Sequence, residues 1–429
     1  MLHRAVILTF IFAVGIVKAF AVSSDNPPPR VSEDSSTAAA ATSDSHNGST
    51  DLLSIDTGFH STSTMISPKK MKSNTFRWFV RGVIGELYHN IFLRQIKRLA
   101  RTINRTNKLT CRQHPRNEIA IVTGATGGIG SHMAHELAFR GYDVVVAARD
   151  ATRGNELVDQ INEKLREAPT CGGSNNENAS PLPIISFVEY HADNPQSALN
   201  LASSVKNLDG QVVVLINNAG IMGKSKQLTP MRVNLLGPVL LTLAILPLIN
   251  NSSSKIAPTV INVGATSVID DEITLEKNET YISALPNVDD KDLSTYSRSK
   301  LALMQFSTLL RHSLSKSESP IRVYDAHPGL VWTPLLRNHI GDKATNILRN
   351  SGLANLIYKS AFEGAQAIVS ALDHLSSASK VQIYFENGKP GGYATQESRN
   401  YSSSLELWEI VISPEIEGIS EVYSLDIDQ

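Results

Sequence analysis

The chain has 429 residues, enough for one large α/β domain with tails or for two or three smaller domains. Its 41 % hydrophobic and 19 % charged residues are ordinary globular values and exclude a wholly disordered or fibrous protein. The net charge of −1 excludes a uniformly basic nucleic-acid coat, and two cysteines, Cys111 and Cys171, are too few for a disulfide scaffold or a Cys-rich zinc module. The near-neutral total hides an asymmetry, because residues 69–116 carry thirteen Lys and Arg against one acid, Glu86. No metal site is expected.

Residues 1–22 read as a signal or targeting segment. Arg4 precedes an apolar run, Ala5–Val17, and Val17-Lys18-Ala19 supplies the small −3 and −1 residues of a cleavage site. The run is shorter than the roughly 20 residues that span a bilayer. That favours a cleaved signal over an anchor, with entry into the secretory route and association with the endoplasmic reticulum membrane. The junction Lys18-Ala19-Phe20-Ala21 also resembles that of bipartite leaders to secondary plastids, which is the alternative destination. Residues 23–75 are rich in Ser and Thr without an apolar period and are expected to be a disordered linker.

Residues 76–115 form a basic amphipathic helical segment. Val80, Ile84, Leu87 and Ile91 recur at helical spacing, Arg81, Arg94, Lys97, Arg98 and Arg101 lie between them, and Trp78 and Phe79 stand at the start. This is the pattern of a helix in a membrane interface, so residues 76–104 are expected to contact a membrane surface. The alternative is a helix packed on the main domain with a solvated basic face. Nothing else in the chain supports nucleic-acid binding.

From residue 116 to 415, β-rich and helical stretches alternate. The strands are expected at Ile119–Val122, Asp143–Ala147, Ile184–Val188, Val212–Ile216, Thr259–Val263 and Ile321–Asp325. Such alternation implies an α/β fold, a doubly wound parallel sheet covered on both faces. The polar stretch 171–183 interrupts it as a surface insertion, and residues 416–429 are a tail. Straight after the first strand, Thr123-Gly124-Ala125-Thr126-Gly127-Gly128-Ile129-Gly130 opens a helix expected over Ser131–Arg140. Glycines there let the backbone approach a pyrophosphate, and the helix N-terminus supplies free N–H groups and a positive dipole end. The second strand ends in Ala148-Arg149-Asp150. An arginine at that place accommodates a 2′-phosphate, which favours NADP (NADPH) over NAD; Asp150 is the counter-argument, as an acid for the ribose 2′-OH of NAD, unless it is simply a helix cap.

With Thr123–Gly130 joined to Asn217-Asn218-Ala219-Gly220 and to Tyr296-Ser297-Arg298-Ser299-Lys300, the chain resembles the short-chain dehydrogenase/reductase family over roughly residues 118–410. His327-Pro328-Gly329-Leu330-Val331, Tyr384-Phe385-Glu386 and Leu407-Trp408-Glu409 give it the flavour of the retinol-dehydrogenase-like branch. The resemblance implies a single Rossmann-type catalytic domain and a lipophilic alcohol or carbonyl substrate, and it allows a homodimer. It also implies that Asn217–Gly220 supports the cofactor and that Asp193 lies beside the adenine, although Asp193 also reads as a turn cap. By the same resemblance, Pro328, Gly329 and Thr333 cover the nicotinamide, Lys300 holds its ribose, and Asn234 assists a water-linked proton relay. His327 reads as structural.

Tyr296 and Lys300 are four residues apart and share one helix face. A phenol titrates near 10, and a neighbouring ammonium is expected to lower that by roughly 1–3 units. Tyr296 is thus expected to act as general acid/base, with Lys300 and Asn234 assisting. One element departs from the family pattern. Where its serine is expected, in Asn262-Val263-Gly264-Ala265-Thr266-Ser267, stands Ala265. Thr266 or Ser267 could supply the hydroxyl. Otherwise the chain reads as a catalytically impaired NADP-binding sensor or scaffold at a membrane.

Overall fold

Strand β1, Glu118–Thr123, is buried along its whole length, and its side chains alternate between two cores. Ile119 and Ile121 face one, Ala120 and Val122 the other, as the two-residue period of a strand dictates. Burial on both faces is what a parallel sheet between two helical layers requires. The computed structural model describes residues 117–167, 182–222, 229–249, 257–265, 293–337, 345–346, 350, 358–376, 383–391, 395–417, 419 and 425. The expected leader, linker and basic helix lie outside these residues, as do Thr266 and Ser267.

After β1 come α1 (Gly128–Phe139), β2 (Asp143–Ala148), α2 (Ala151–Glu167), β3 (Ile185–Glu189), α3 (Pro195–Lys206) and β4 (Gln211–Asn217). A π-helical turn, Arg232–Leu236, leads into α4 (Gly237–Ile245) and β5 (Thr259–Val263). The 24-residue α5 (Leu293–Lys316) is followed by β6 (Arg322–His327) and α6 (Ala361–Val369). The chain continues through β7 (Tyr384–Glu386), β8 (Lys389–Gly391) and α7 (Tyr401–Leu407). A π-helical turn, Trp408–Ile412, then runs into α8 (Ser413–Ile416). The sheet order is β3-β2-β1-β4-β5-β6-β7-β8. All neighbours pair in parallel except the last. This is the doubly wound, Rossmann-type architecture, with the chain reversing direction beside β1.

The six expected strands are present within one or two residues at each end. Several findings refine the sequence reading. Tyr384-Phe385-Glu386 is a seventh parallel strand and not merely a tail element, and β8 returns antiparallel through a turn with Asn387 at φ 53° and Gly388 at φ 76°, so the sheet is not wholly parallel. Three-residue strands carry too little period to be seen in sequence. Helix α1 begins at Gly128 and not Ser131, and Gly128 enters it at φ 54°, a conformation that favours glycine. One core holds Leu201, Leu215, Leu235 and Phe306 under α3, α4 and α5; the other holds Met133, Leu137, Ile161 and Ile368 under α1, α2 and α6. Leu425 belongs to the first core, which therefore reaches past residue 415.

Candidate functional site

Thr123, Asn217 and His327 end β1, β4 and β6, and the candidate residues follow them at the carboxyl edge of the sheet. Ligands of open α/β sheets bind there, at the point where strand order reverses. Thr123 ties two of the motifs together. Its Oγ1 accepts from the N–H groups of Asn218 (2.9 Å) and Ala219 (3.0 Å), and Asn218 Nδ2 donates back to the Thr123 carbonyl at 2.8 Å. Gly124 has φ 63°, which favours glycine, and a Cβ there would meet Ala219 Cα at 2.9 Å. At Gly130 a Cβ would run into the Gly124 carbonyl oxygen and lie 2.8 Å from Asn218 Nδ2.

The start of α1 carries no cap. Gly127 at the N-cap makes no side-chain hydrogen bond, and the first turn holds no acid. By contrast α3 is capped by Asn194, α6 by a Ser360–Glu363 capping box and α7 by Asn400. An uncapped helix leaves N–H groups and the positive dipole end for a phosphate. The loop after β6 closes on the same place, with Thr333 Cγ2 at 3.5 Å from where a Cβ of Gly128 would be. A Cβ on Gly364 of α6 would lie 3.4 Å from Ile129 and 2.8 Å from Val331. The residues present fit a dinucleotide. Thr123, Gly124, Gly128, Ile129 and Gly130 surround the start of α1, Asn217–Gly220 form the turn at the end of β4, and Pro328, Gly329 and Thr333 belong to the loop after β6.

At the end of β2, Arg149 is exposed and Asp150 Oδ1 accepts from the Arg153 N–H at 3.1 Å, capping α2. Arg153, which the sequence reading passed over, reaches back so that its guanidinium donates to the Thr126 carbonyl at 2.8 Å. Its only sequence signal was its place one helical turn beyond Arg149. Asp193 is half-buried after β3. It is not the cap of α3, because the Asn194 side chain accepts from Gln196 N–H at 3.0 Å.

On the other side, Asn234 is fully buried in the π-helical turn. Its Oδ1 accepts from Ile221 N–H at 2.8 Å, and its Nδ2 donates to the Ile221 carbonyl at 2.9 Å and to Ser299 Oγ at 3.0 Å. Ser299 Oγ donates in turn to the Tyr296 carbonyl at 2.7 Å. Lys300 Nζ donates to the Val263 carbonyl at 2.8 Å, and a Cβ on Gly220 would lie 3.4 Å from that Nζ and 3.2 Å from Asn234 Oδ1. Asn234, Ser299, Lys300 and Gly220 are thus one cluster, which Tyr296 joins through its main-chain carbonyl, and Ser299 was missed although it sits inside the Tyr296–Lys300 stretch.

The electrostatics correct the expectation for this pair. Burial pushes the Tyr296 phenol up to about 12 instead of down, and pushes the Lys300 ammonium down to about 8. Desolvation acts on both charged forms, and the Lys300 ammonium donates to the Val263 carbonyl. Ala265 packs half-buried against the core beside this cluster. His327 is structural in geometry too: its Nδ1 accepts from Gly329 N–H at 3.0 Å inside the Pro-Gly turn.

The short chain dehydrogenase family model matches residues 118–270. Mouse polyprenol dehydrogenase is 33 % identical over 263 residues, 59 % of this chain and 70 % of the relative. The chain belongs to the short-chain dehydrogenase/reductase family. Human retinol dehydrogenase 14 is 30 % identical and the alignment covers 61 % of this chain and 74 % of that protein. Bovine dehydrogenase/reductase SDR family member 13 is 29 % identical, covering 68 % and 72 %. Within the short-chain dehydrogenases/reductases the chain is therefore an oxidoreductase of the retinol-dehydrogenase-like kind. No described helix is long and apolar enough to cross a membrane.

Proposed function

We propose that the protein is an NADP-dependent oxidoreductase that interconverts a lipophilic alcohol and its carbonyl compound. The observation that carries this reading is the buried cluster of Tyr296, Lys300, Ser299 and Asn234 beside the Gly220 turn, at the sheet edge where the uncapped α1 begins. The dinucleotide, when bound, supplies or accepts the hydride. Tyr296 holds its proton at neutral pH and donates it to the carbonyl oxygen in reduction; in oxidation it takes the hydroxyl proton once ionised. Lys300, fixed through Val263, holds the nicotinamide ribose. Asn234 acts by position, because its amide is engaged by Ile221 and Ser299 and so fixes the turn against α5.

Arg149 and Arg153 favour NADP. With Asp150 accepting from the main chain of α2, the end of β2 presents two cations where a 2′-phosphate would sit. The lipophilic substrate class follows the relatives that are polyprenol and retinol dehydrogenases, and the basic stretch 76–104 would bring the site to a membrane where such substrates reside.

Ala265 supports a second reading, a dinucleotide-binding sensor whose chemistry is impaired. Losing one polarising donor typically lowers kcat by about 10²–10³. The test is titration of NADPH and NADH into the full chain by fluorescence, then NADPH loss with a panel of hydrophobic aldehydes and ketones, with Tyr296→Phe as control. Tight NADPH binding and Tyr296-dependent turnover are expected. Binding without turnover would favour the sensor, and no binding of either nucleotide would overturn both.

A further inference from the structure

Along the sheet-facing stripe of α5, Lys300 is followed at seven and eleven residues by Ser307 and Arg311, neither of which touches the reacting atoms. Both belong to a run of hydrogen bonds that crosses the sheet at one level. Asn217 of β4, Asn262 of β5 and Asp325 of β6 stand side by side in register, and all three are buried. Asn217 Nδ2 donates to Asn262 Oδ1 at 2.8 Å, and also to Thr242 Oγ1 of α4 at 2.9 Å. Asn262 Nδ2 donates to Ser307 Oγ at 2.8 Å, and Ser307 Oγ donates to Asp325 Oδ1 at 2.6 Å. Arg311 closes the run from the other side, donating to Asp325 Oδ2 at 3.0 Å and to the Val323 carbonyl at 3.3 Å.

The Asp325 carboxylate is an acceptor for both α5 side chains, one oxygen for Ser307 and the other for Arg311. Apolar helix-on-sheet contacts are non-directional and let a helix slide or roll. A carboxylate held by a hydroxyl four residues before a guanidinium on the same helix is satisfied at one axial position only. The same helix carries Tyr296, and Lys300 is hydrogen-bonded to Val263, the residue after Asn262.

We infer that Asp325, with Ser307 and Arg311, forms a positioning device that fixes α5 along β5 and β6 and so sets Tyr296 and Lys300 at the reacting edge. The residues act through α5 and are positioning residues. The inference rests on the role given to Tyr296 under the proposed function, and its test carries a readout that does not need turnover.

Asp325→Asn keeps the shape but puts an N–H against a donor, either Ser307 or Arg311. It is expected to lower kcat at least tenfold, since small displacements of a reacting group are amplified in rate, while the NADPH Kd stays within about twofold. Adding Arg311→Met, which removes the opposing donor, is expected to restore part of that loss. Ser307→Ala, with Ser307→Thr as its rescue, is the second pair if Asp325→Asn fails to fold. Independently of turnover, Tyr296 ionisation is followed in the tyrosinate absorbance band, as the difference from Tyr296→Phe in each background. It is expected at lower pH in Asp325→Asn, as a displaced phenol gains water.

If the variants lower Tm while kcat and the Tyr296 titration keep wild-type values, the device is purely a stability element and the inference falls. If the wild type shows no turnover, the proposed function falls, and the tyrosinate titration still decides the positioning.

Discussion

Tyr296 and Lys300 show how burial sets the state of a pair of titratable side chains on one helix. Tyr296→Phe is expected to lower turnover by about 10²–10⁴ with little change in NADPH affinity, read by steady-state kinetics beside fluorescence titration. Lys300 titrates at about 8 in the fold against 10.5 unfolded, so its buried ammonium destabilises the protein below pH 8 and that burden is relieved between pH 8 and 10.5. A shift of that size corresponds to about 3 kcal/mol, an upper figure because the Val263 carbonyl already meets the ammonium. Lys300→Met is therefore expected to raise the Tm of the nucleotide-free protein by a few degrees at pH 7 and to lose that advantage by pH 10, while weakening NADPH binding. Carbonyl reduction by the wild type is expected to be level below pH 8 and to fall above it as Lys300 loses its charge. At the far end of the dinucleotide, Arg149→Ala and Arg153→Ala are each expected to cut the NADPH-over-NADH preference about tenfold, less so at high salt. Direct titration in two salt concentrations checks this.

The glycine turn between β1 and α1 separates two ways in which an element is specified. A Cβ at Gly130 would enter the Gly124 carbonyl oxygen and crowd Asn218 Nδ2, so Gly130→Ala is expected to abolish dinucleotide binding as well as to lower Tm. At Gly154, on the inner face of α2, a Cβ would instead enter the ring of Phe187 on β3. Gly154→Ala is expected to lower Tm by several degrees while the folded fraction keeps its NADPH affinity. Thermal melts and titrations on the two variants decide whether the turn is a binding element or merely packing. The glycine pattern of this turn was visible in the sequence, because it falls between a strand and a helix. Gly154 was not, because only the packing of α2 on β3 makes that position special.

On the scale of the whole molecule, the basic stretch 69–116 stands against an acidic remainder. If it brings the catalytic domain to a membrane, the full chain is expected to sediment with anionic vesicles. Each Lys or Arg near the surface adds about 1 kcal/mol, fading as salt screens it. Deleting residues 69–116 is expected to abolish sedimentation and to leave NADPH binding intact, whereas loss of both would place the stretch within the fold of the catalytic domain.

The sequence by itself determined the alternation of strands and helices, the glycine turn, and the Tyr296–Lys300 spacing, because these rest on local period, backbone sterics and helix geometry. It also marked Arg149 and the absence of a serine at Ala265. The short strands β7 and β8 were decided only by pairing to β6, since three residues carry no period of their own. The partners of Asn234, the reach of Arg153 to Thr126, and the polar run ending on Asp325 join residues from 13 to 65 positions apart for the first two, and across three strands for the third. The direction of the Tyr296 and Lys300 shifts was likewise tertiary: spacing along a helix puts two side chains on one face, but only the surrounding core supplies the burial that disfavours both charged forms.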